Sequence, residues 1–410
     1  MLKWFKNIGP GPLVAAAFIG PGTVTTCTLA GVDFGYALLW AMVLAVFATV
    51  VLQEMSARIG LVTQKGISEI IKTEIQNPLL KFIAILLILS AIVIGNTAYE
   101  AGNISGAVLG LEAITGNSYI ELGWFSFNVL SIIIGFLAFG LLYIGNYKTL
   151  EKVLMALVFF MSFAFIITAV ITKPDVISIL KGIFTPNLSH SKSLLTIIGL
   201  IGTTVVPYNI FLHAALVKNK WSSEKDLPYV RKDTLIAIIL GGVVSMCIII
   251  SGAALQGNHI QDAAGLAQSL EPLFGINAKY FLALGLLAAG VTSAVTAPLA
   301  AAYVLCECLG WSTDLRSKRF RGVWMIIIIL GVLSASLGYK SIDIIRFAQV
   351  ANGILLPVIA VFLVWIVNKS KLLGQFKNTN IQNVFAVFIL GISILLSLKT
   401  ISSVFELNLF

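Results

Sequence analysis

The chain alternates long apolar blocks with short polar connectors, and charged residues are sparse inside the blocks. A block of about 20 residues is the length that crosses a bilayer core as α-helix. Lipid cannot satisfy exposed backbone N–H and C=O groups, so such blocks have to be helical. The pattern predicts eleven spans, at residues 11–31, 35–57, 79–111, 123–145, 150–172, 193–217, 233–256, 277–309, 322–339, 342–367 and 382–405.

Composition agrees with a polytopic membrane protein and excludes both a soluble and a disordered chain. Of the 410 residues 58% are hydrophobic and 11% charged, against roughly 25% charged in a soluble domain. A soluble chain of this length could not bury so much apolar surface, and a disordered one needs far more charge. The formal net charge of +9 is read by location. With a cytoplasmic N-terminus, the inside segments hold 20 of the 27 Lys and Arg residues, from Lys3 and Lys6 to Lys377, which leaves 7 for the other face. That bias predicts a multi-pass cell (inner) membrane protein with its N-terminus cytoplasmic and its C-terminus extracytoplasmic. The basic run Arg316–Arg321 (RSKRFR) then reads as a retained cytoplasmic loop, so no nucleic-acid partner is expected, and no obligate protein partner is evident. The N-terminus carries no cleavable-signal pattern; its apolar stretch opens the first span. Cys27, Cys306 and Cys308 sit inside or at the ends of apolar blocks and are expected to be packing residues.

Two spans are interrupted. Gly20-Pro21-Gly22 lies within the first and Pro207 within the sixth, 186 residues apart. Proline removes a helical N–H and clashes with the preceding turn, so each site is a kink or a break. Spans three and eight, both long, recur with a similar offset. Matching interruptions in two halves point to a secondary transporter with a midplane site, and halves of five spans must be inverted relative to each other. The expected organisation is a single transmembrane domain over 1–410, with a first repeat at 1–173, an inverted repeat at 193–367 and an eleventh helix at 382–405.

The stretches GPGPLVAAAFIGPGTVTT, AGVDFGYALLW and LQEMSARIGLVTQKGISE near the start, GTTVVPYNIFLHAALV in span six and ALGLLAAGVTSAVTAPLAAAYVL in span eight resemble the NRAMP (natural resistance-associated macrophage protein) family of divalent-metal transporters. The likeness covers about residues 9–365. It implies an all-α LeuT-type fold, a 5+5 inverted repeat with broken helices one and six, working by alternating access. The family's Asp-Pro-Gly-Asn and Met-Pro-His-Asn motifs appear here as Gly20-Pro21-Gly22-Thr23 and Val206-Pro207-Tyr208-Asn209. The metal-binding carboxylate is replaced by Gly20, the thioether by Val206 and the histidine by Tyr208. Asn209 is kept, Gln349 matches a family position on helix ten, and the two acidic positions of helix three align with Thr97 and Glu100.

The residues themselves favour a different substrate. A dehydrated divalent cation needs anionic or several hard oxygen ligands, and one carboxylate at 4 Å contributes on the order of 8 kcal/mol of gross attraction at an effective dielectric of 20. Neither interrupted segment contains Asp or Glu. Each break exposes a helix N-terminus worth about half a positive charge. The expected substrate site (Gly20, Gly22, Thr23, Val206, Tyr208, Asn209 and Gln349) therefore suits a small anion, with bicarbonate nominated as a planar ion able to use several donors; it is not of the transition-metal type. The alternative is a divalent cation such as Mn²⁺ or Mg²⁺, held through water by neutral oxygens.

An anion entering a negative cytosol needs a coupling ion. Ala289-Gly290-Val291-Thr292-Ser293 resembles the Ala-Gly-Leu-Thr-Ser stretch of sodium-coupled bacterial amino-acid transporters of this fold. The resemblance implies a Na⁺ site at Thr292 and Ser293 with carbonyls near Ala16 and Ile19; the plain reading is that these hydroxyls join helices. Glu100 reads either as a proton carrier or as a group paired with a base or with Asn96 and Asn103. His213 matches a histidine kept in the family signature, although a lone membrane histidine is more often a packing residue, and with only His190, His213 and His259 no His-rich metal cluster can form. Phosphate loops, nucleotide folds and hydrolytic triads are absent from the sequence, so no enzyme activity and no cofactor beyond a coupling Na⁺ is expected. Three classes remain: a sodium-coupled importer of a small anion, a proton-coupled divalent-metal importer, and a receptor or scaffold that has lost transport.

Overall fold

The computed structural model of the chain describes residues 9–11, 19–116, 119–122, 125–145, 148–186 and 191–404. In chain order the main helices are α1 (Pro21–Phe34), α2 (Leu39–Thr63), α3 (Ile67–Glu74), α4 (Pro78–Thr115), α5 (Val129–Ile144), α6 (Lys148–Ile171), α7 (Val176–Phe184), α8 (Ser191–Thr204), α9 (Pro207–Lys220), α10 (Leu227–Ala253), α11 (Ala278–Leu309), α12 (Lys318–Ser336), α13 (Ser341–Val367) and α14 (Asn380–Val404). Strands β1 (Tyr119–Leu122) and β2 (Phe125–Asn128) pair as an antiparallel hairpin before α5. Among the described residues nine helices are long and apolar enough to cross a membrane, and α5 is a shorter apolar helix.

Local chemistry sets several boundaries. Pro21, Pro78 and Pro207 open α1, α4 and α9, where a missing N–H costs nothing. The Asn77 carboxamide accepts from the Leu79 and Leu80 N–H groups at 2.9 and 3.1 Å and caps α4; Asn128 caps α5 the same way at Leu130. Asp175 caps α7. The carboxyl of Asp175 is held below the usual range by the Ser178 hydroxyl and by the helix N–H groups.

Among the described residues the expected segments correspond to helices with shifted ends, the sixth to the two helices α8 and α9; of the first, residues 12–18 lie outside the described residues. The fourth begins at Val129 rather than 123, because the hairpin takes up its first residues. The second begins at Leu39 rather than 35, since a turn follows Gly35 at φ +57°. The amphipathic α3 and α7 belong to no predicted span, being too short to show as apolar blocks.

Helix α4 runs through the centre, packed along α11 and α13 with α12 on a further side; α1 lies against α10, α8 and α13. Small residues permit these approaches. A Cβ on Gly290 of α11 would stand 2.6 Å from the Ala107 backbone nitrogen of α4. The outer helices turn Phe136, Leu333, Val384 and Val387 outward, the arrangement of a protein whose solvent is lipid.

Candidate substrate site at the two helix breaks

The interruption in span six is a break rather than a kink, and at the first interruption a helix starts directly after Gly20. Ile19 and Gly20 are non-helical, and α1 starts at Pro21 with Gly20 as its N-cap. In span six α8 stops at Thr204, Val206 is extended, and α9 restarts at Pro207. Each restart leaves first-turn N–H groups directed into the protein interior. The Gly20 carbonyl accepts from Thr23 N–H at 3.1 Å and the Val206 carbonyl from Asn209 N–H at 3.1 Å. Gly20, Gly22, Thr23, Val206, Tyr208 and Asn209 are all buried. Ala16 lies outside the described residues.

Four elements converge on the first break. The hydroxyls of Thr23 and Thr203, on α1 and on the last turn of α8, lie 2.7 Å apart. Gly22 is covered by the Gln349 carboxamide of α13, which occupies the space a Cβ would need. The Gln349 Oε1 atom is buried and makes no hydrogen bond among the described residues. At Gly20, a Cβ would meet Ser293 Oγ of α11 at 3.3 Å and the Tyr99 hydroxyl of α4 at 3.9 Å. Tyr99 packs on Tyr208 of α9, their ring centroids 5.5 Å apart. Gly20, Gly22, Thr23, Gln349 and, through Tyr99, Tyr208 thus lie about this break with Ser293, one of the two expected sodium ligands. Its neighbour Thr292 donates its hydroxyl to the Ala288 carbonyl at 2.7 Å.

The two groups read as coupling candidates sit elsewhere. Glu100 is fully buried on the side of α4 that faces α12, where its stem fills the place of a Cβ on Gly331. Its Oε2 accepts from Asn103 at 3.5 Å, and Oε1 has no partner among the described residues. His213 is enclosed by α2 and α10, with Nδ1 2.8 Å from Gln53 Oε1 and Nε2 3.5 Å from the Thr234 hydroxyl.

Tyr99 and Thr203 are site residues that the sequence pattern does not single out. A signal existed for each: Tyr99 is the neighbour of the one retained carboxylate on its helix, and Thr203 precedes a proline break by one helical turn. Among the described residues, no group of three or more His, Cys, Asp or Glu side chains is placed to hold a metal ion.

The comparisons with known proteins agree with this architecture. Residues 11–403 match the model of the family described as natural resistance-associated macrophage protein-like. The chain is 27% identical over 411 residues to the divalent metal cation transporter MntH of Bacillus subtilis (strain 168), covering 96% of this chain and 92% of that one. It is likewise 27% identical over 409 residues to MntH of Pectobacterium carotovorum subsp. carotovorum (strain PC1), covering 97% and 95%. In three dimensions it resembles the Eremococcus coleocola manganese transporter bound to an aromatic bis-isothiourea compound, with a TM-score of 0.76 at 23% identity over 97% of this chain and 86% of that one. A more distant likeness, TM-score 0.57 at 17% identity over 96% and 98%, is to MhsT in complex with L-phenylalanine. The fold is of the LeuT type, and the chain belongs to the NRAMP family of membrane transporters.

Proposed function

We propose that this NRAMP-family transporter imports a small anion, with bicarbonate the specific nomination, through alternating access around the two breaks. The observation that carries the proposal is the lining at Gly20. Where the metal-transporting pattern sets a carboxylate, this chain presents the Ser293 and Tyr99 hydroxyls, flanked by Thr23 and the Gln349 amide. Hydroxyl and amide donors beside two helix N-termini favour negative charge when nothing acidic opposes them. Electrogenic entry of an anion needs a cation in symport. Ser293, with Thr292 and carbonyls near Ala16 and Ile19, is the proposed sodium site, and the hard hydroxyl at the break supports it. The halves 1–173 and 193–367 are the proposed inverted repeats, with 382–405 appended and the N-terminus cytoplasmic.

The second reading is import of a divalent cation such as Mn²⁺ or Mg²⁺, and the relatives favour it: the B. subtilis and P. carotovorum proteins both carry the name divalent metal cation transporter. In this chain the ion would be held through water by backbone carbonyls, Asn209 and Gln349, with Glu100 and His213 as the proton-coupling candidates.

Uptake into proteoliposomes separates the two. Labelled bicarbonate accumulating down an inward sodium gradient supports the first, and Mn²⁺ uptake with internal acidification supports the second. The absence of both fluxes from correctly folded protein would leave a receptor or scaffold.

A further inference from the structure

We propose that the basic cluster at the start of α12, made of Arg316, Lys318, Arg319 and Arg321, is a docking surface for the headgroup phosphate of an anionic phospholipid. Such a surface does not depend on which ion the protein carries.

The cluster is first a problem of charge. Residues 310–322, between α11 and α12, hold four cations and a single acid, Asp314. Lys318, Arg319 and Arg321 stand in the first turn of α12, which contains no acidic residue. The positive end of the helix lies there already, so these cations oppose it instead of complementing it. Asp314 does not offset them: its Oδ1 accepts from the Arg316 backbone N–H at 2.9 Å. Among the described residues none of the four cations forms an ion pair.

The cations are nonetheless held in place. Phe320 is fully buried, its ring 5.0 Å from that of Tyr303, and pins the turn to the bundle. Successive helical positions diverge by about 100°, which sets Lys318 on the side away from the bundle and Arg319 and Arg321 on the two flanks. Arg319 lies over the Trp311 ring at 5.1 Å, and Arg321 over the Tyr143 ring of α5 at 4.6 Å. Arg321 also donates its Nε–H to the Leu315 carbonyl at 3.3 Å. Stacking engages the face of a guanidinium and leaves the terminal N–H groups in its plane for an acceptor. That planar fork matches phosphate oxygens.

The level of the cluster selects a lipid over a soluble polyanion. Tyr143, Ile144 and Leu315 are exposed beside it. From there α5 and α12 run together, joined by the edge-to-face pair of Phe139 and Trp324 at 5.2 Å, with Phe136 and Ile326 turned outward. Acyl chains cover such apolar flanks, and the cations then stand at the boundary where headgroup phosphates lie. Clusters of four or more Lys and Arg at the end of a membrane helix suit anionic lipid for this reason.

The test uses purified full-length protein in neutral detergent, with phosphatidylglycerol, phosphatidylcholine, inorganic phosphate or polyglutamate added. Thermal unfolding is read beside native mass spectrometry of retained lipid. Phosphatidylglycerol is expected to stabilise the protein and stay bound, and the other three to do neither. Arg319→Gln combined with Arg321→Gln should raise the phosphatidylglycerol concentration for half-maximal stabilisation by about ten-fold or more, each cation near a membrane surface being worth about five-fold. Equal responses to phosphatidylglycerol and phosphatidylcholine, or an undiminished response in the double variant, overturn the proposal. Stabilisation by inorganic phosphate or polyglutamate at matched concentration overturns it too, assigning the surface to a free ion or a soluble polyanion. If the double variant is not monodisperse, Arg316→Gln combined with Lys318→Gln replaces it, since neither side chain stacks on a ring among the described residues. The same loss is expected there, and an unchanged phosphatidylglycerol response overturns the proposal.

Discussion

The hydroxyls of Thr23 and Thr203 meet at 2.7 Å across the seam between the two broken spans. Both are buried, and they join the first turn of α1 to the last turn of α8. A bond of this kind between neutral groups contributes about 1 kcal/mol net, and more is lost when one partner is left alone in an apolar seam. Thr23→Val and Thr203→Val should each lower both stability and transport, whereas the double variant should be little worse than either single one. Unfolding followed in detergent tests this as a double-mutant cycle; strictly additive losses would show that the pair does not act as a unit.

Gly20→Asp should abolish bicarbonate uptake. The new carboxylate would project between Ser293 and Tyr99, where a Cβ already stands 3.3 Å from Ser293 Oγ, and its charge would cancel the field of the α1 N-terminus. Uptake of anion and binding of Mn²⁺ are to be measured on the same preparation. A variant that carries bicarbonate faster than wild type would sink the electropositive-site argument.

The sodium proposal makes a graded prediction. Ser293 faces the break at Gly20, while Thr292 has committed its proton to the Ala288 carbonyl and keeps its lone pairs for a cation. Thr292→Ala combined with Ser293→Ala should eliminate the sodium dependence of uptake. Each single change should raise the sodium concentration for half-maximal rate by about ten-fold, equivalent to about 1.4 kcal/mol. Uptake by the double variant that still follows the sodium gradient would exclude this cage.

Arg58 supports the opposite prediction, a loss of stability remote from the ion path. Its guanidinium is buried in α2, 3.0 Å from Glu54, 2.6 Å from Asn378 Oδ1 and 2.8 Å from the Phe376 carbonyl. It ties the connector before α14 to the bundle, and Glu54 is shared with Arg231 of α10 at 2.8 Å. Arg58→Ala should cost about 3 kcal/mol, the scale for removing one partner of a buried pair, with the KM for substrate unchanged. Thermal unfolding beside transport kinetics checks both halves. A shifted KM at intact stability would contradict the structural role.

Much of this was legible along the chain because its cause is local. Twenty apolar residues dictate a span wherever they occur, and a mid-span proline marks a kink or a break, although Pro298 and Pro357 lie inside the continuous helices α11 and α13. The sites at Pro21 and Pro207 were therefore visible in the sequence as interruptions, and the structure decided that a helix starts anew at each. The absence of acid at those breaks was equally plain. Connectors were less readable: α3, α7 and the strands β1 and β2 are too short to leave a long apolar block.

Sequence by itself determined that the protein lives in lipid, which two spans are interrupted, and which charges are missing from the middle. Tertiary structure alone decided which side chains fill the resulting space. Tyr99 and Glu100 are adjacent in the chain, yet α4 turns one toward Tyr208 and the broken helices and the other toward Gly331. His213, one turn beyond Asn209 in sequence, is enclosed by Gln53 and Thr234. The physical reason is the angular period of the helix combined with packing. A residue's face is fixed by its phase, but the partner of that face is set by helices far away in sequence.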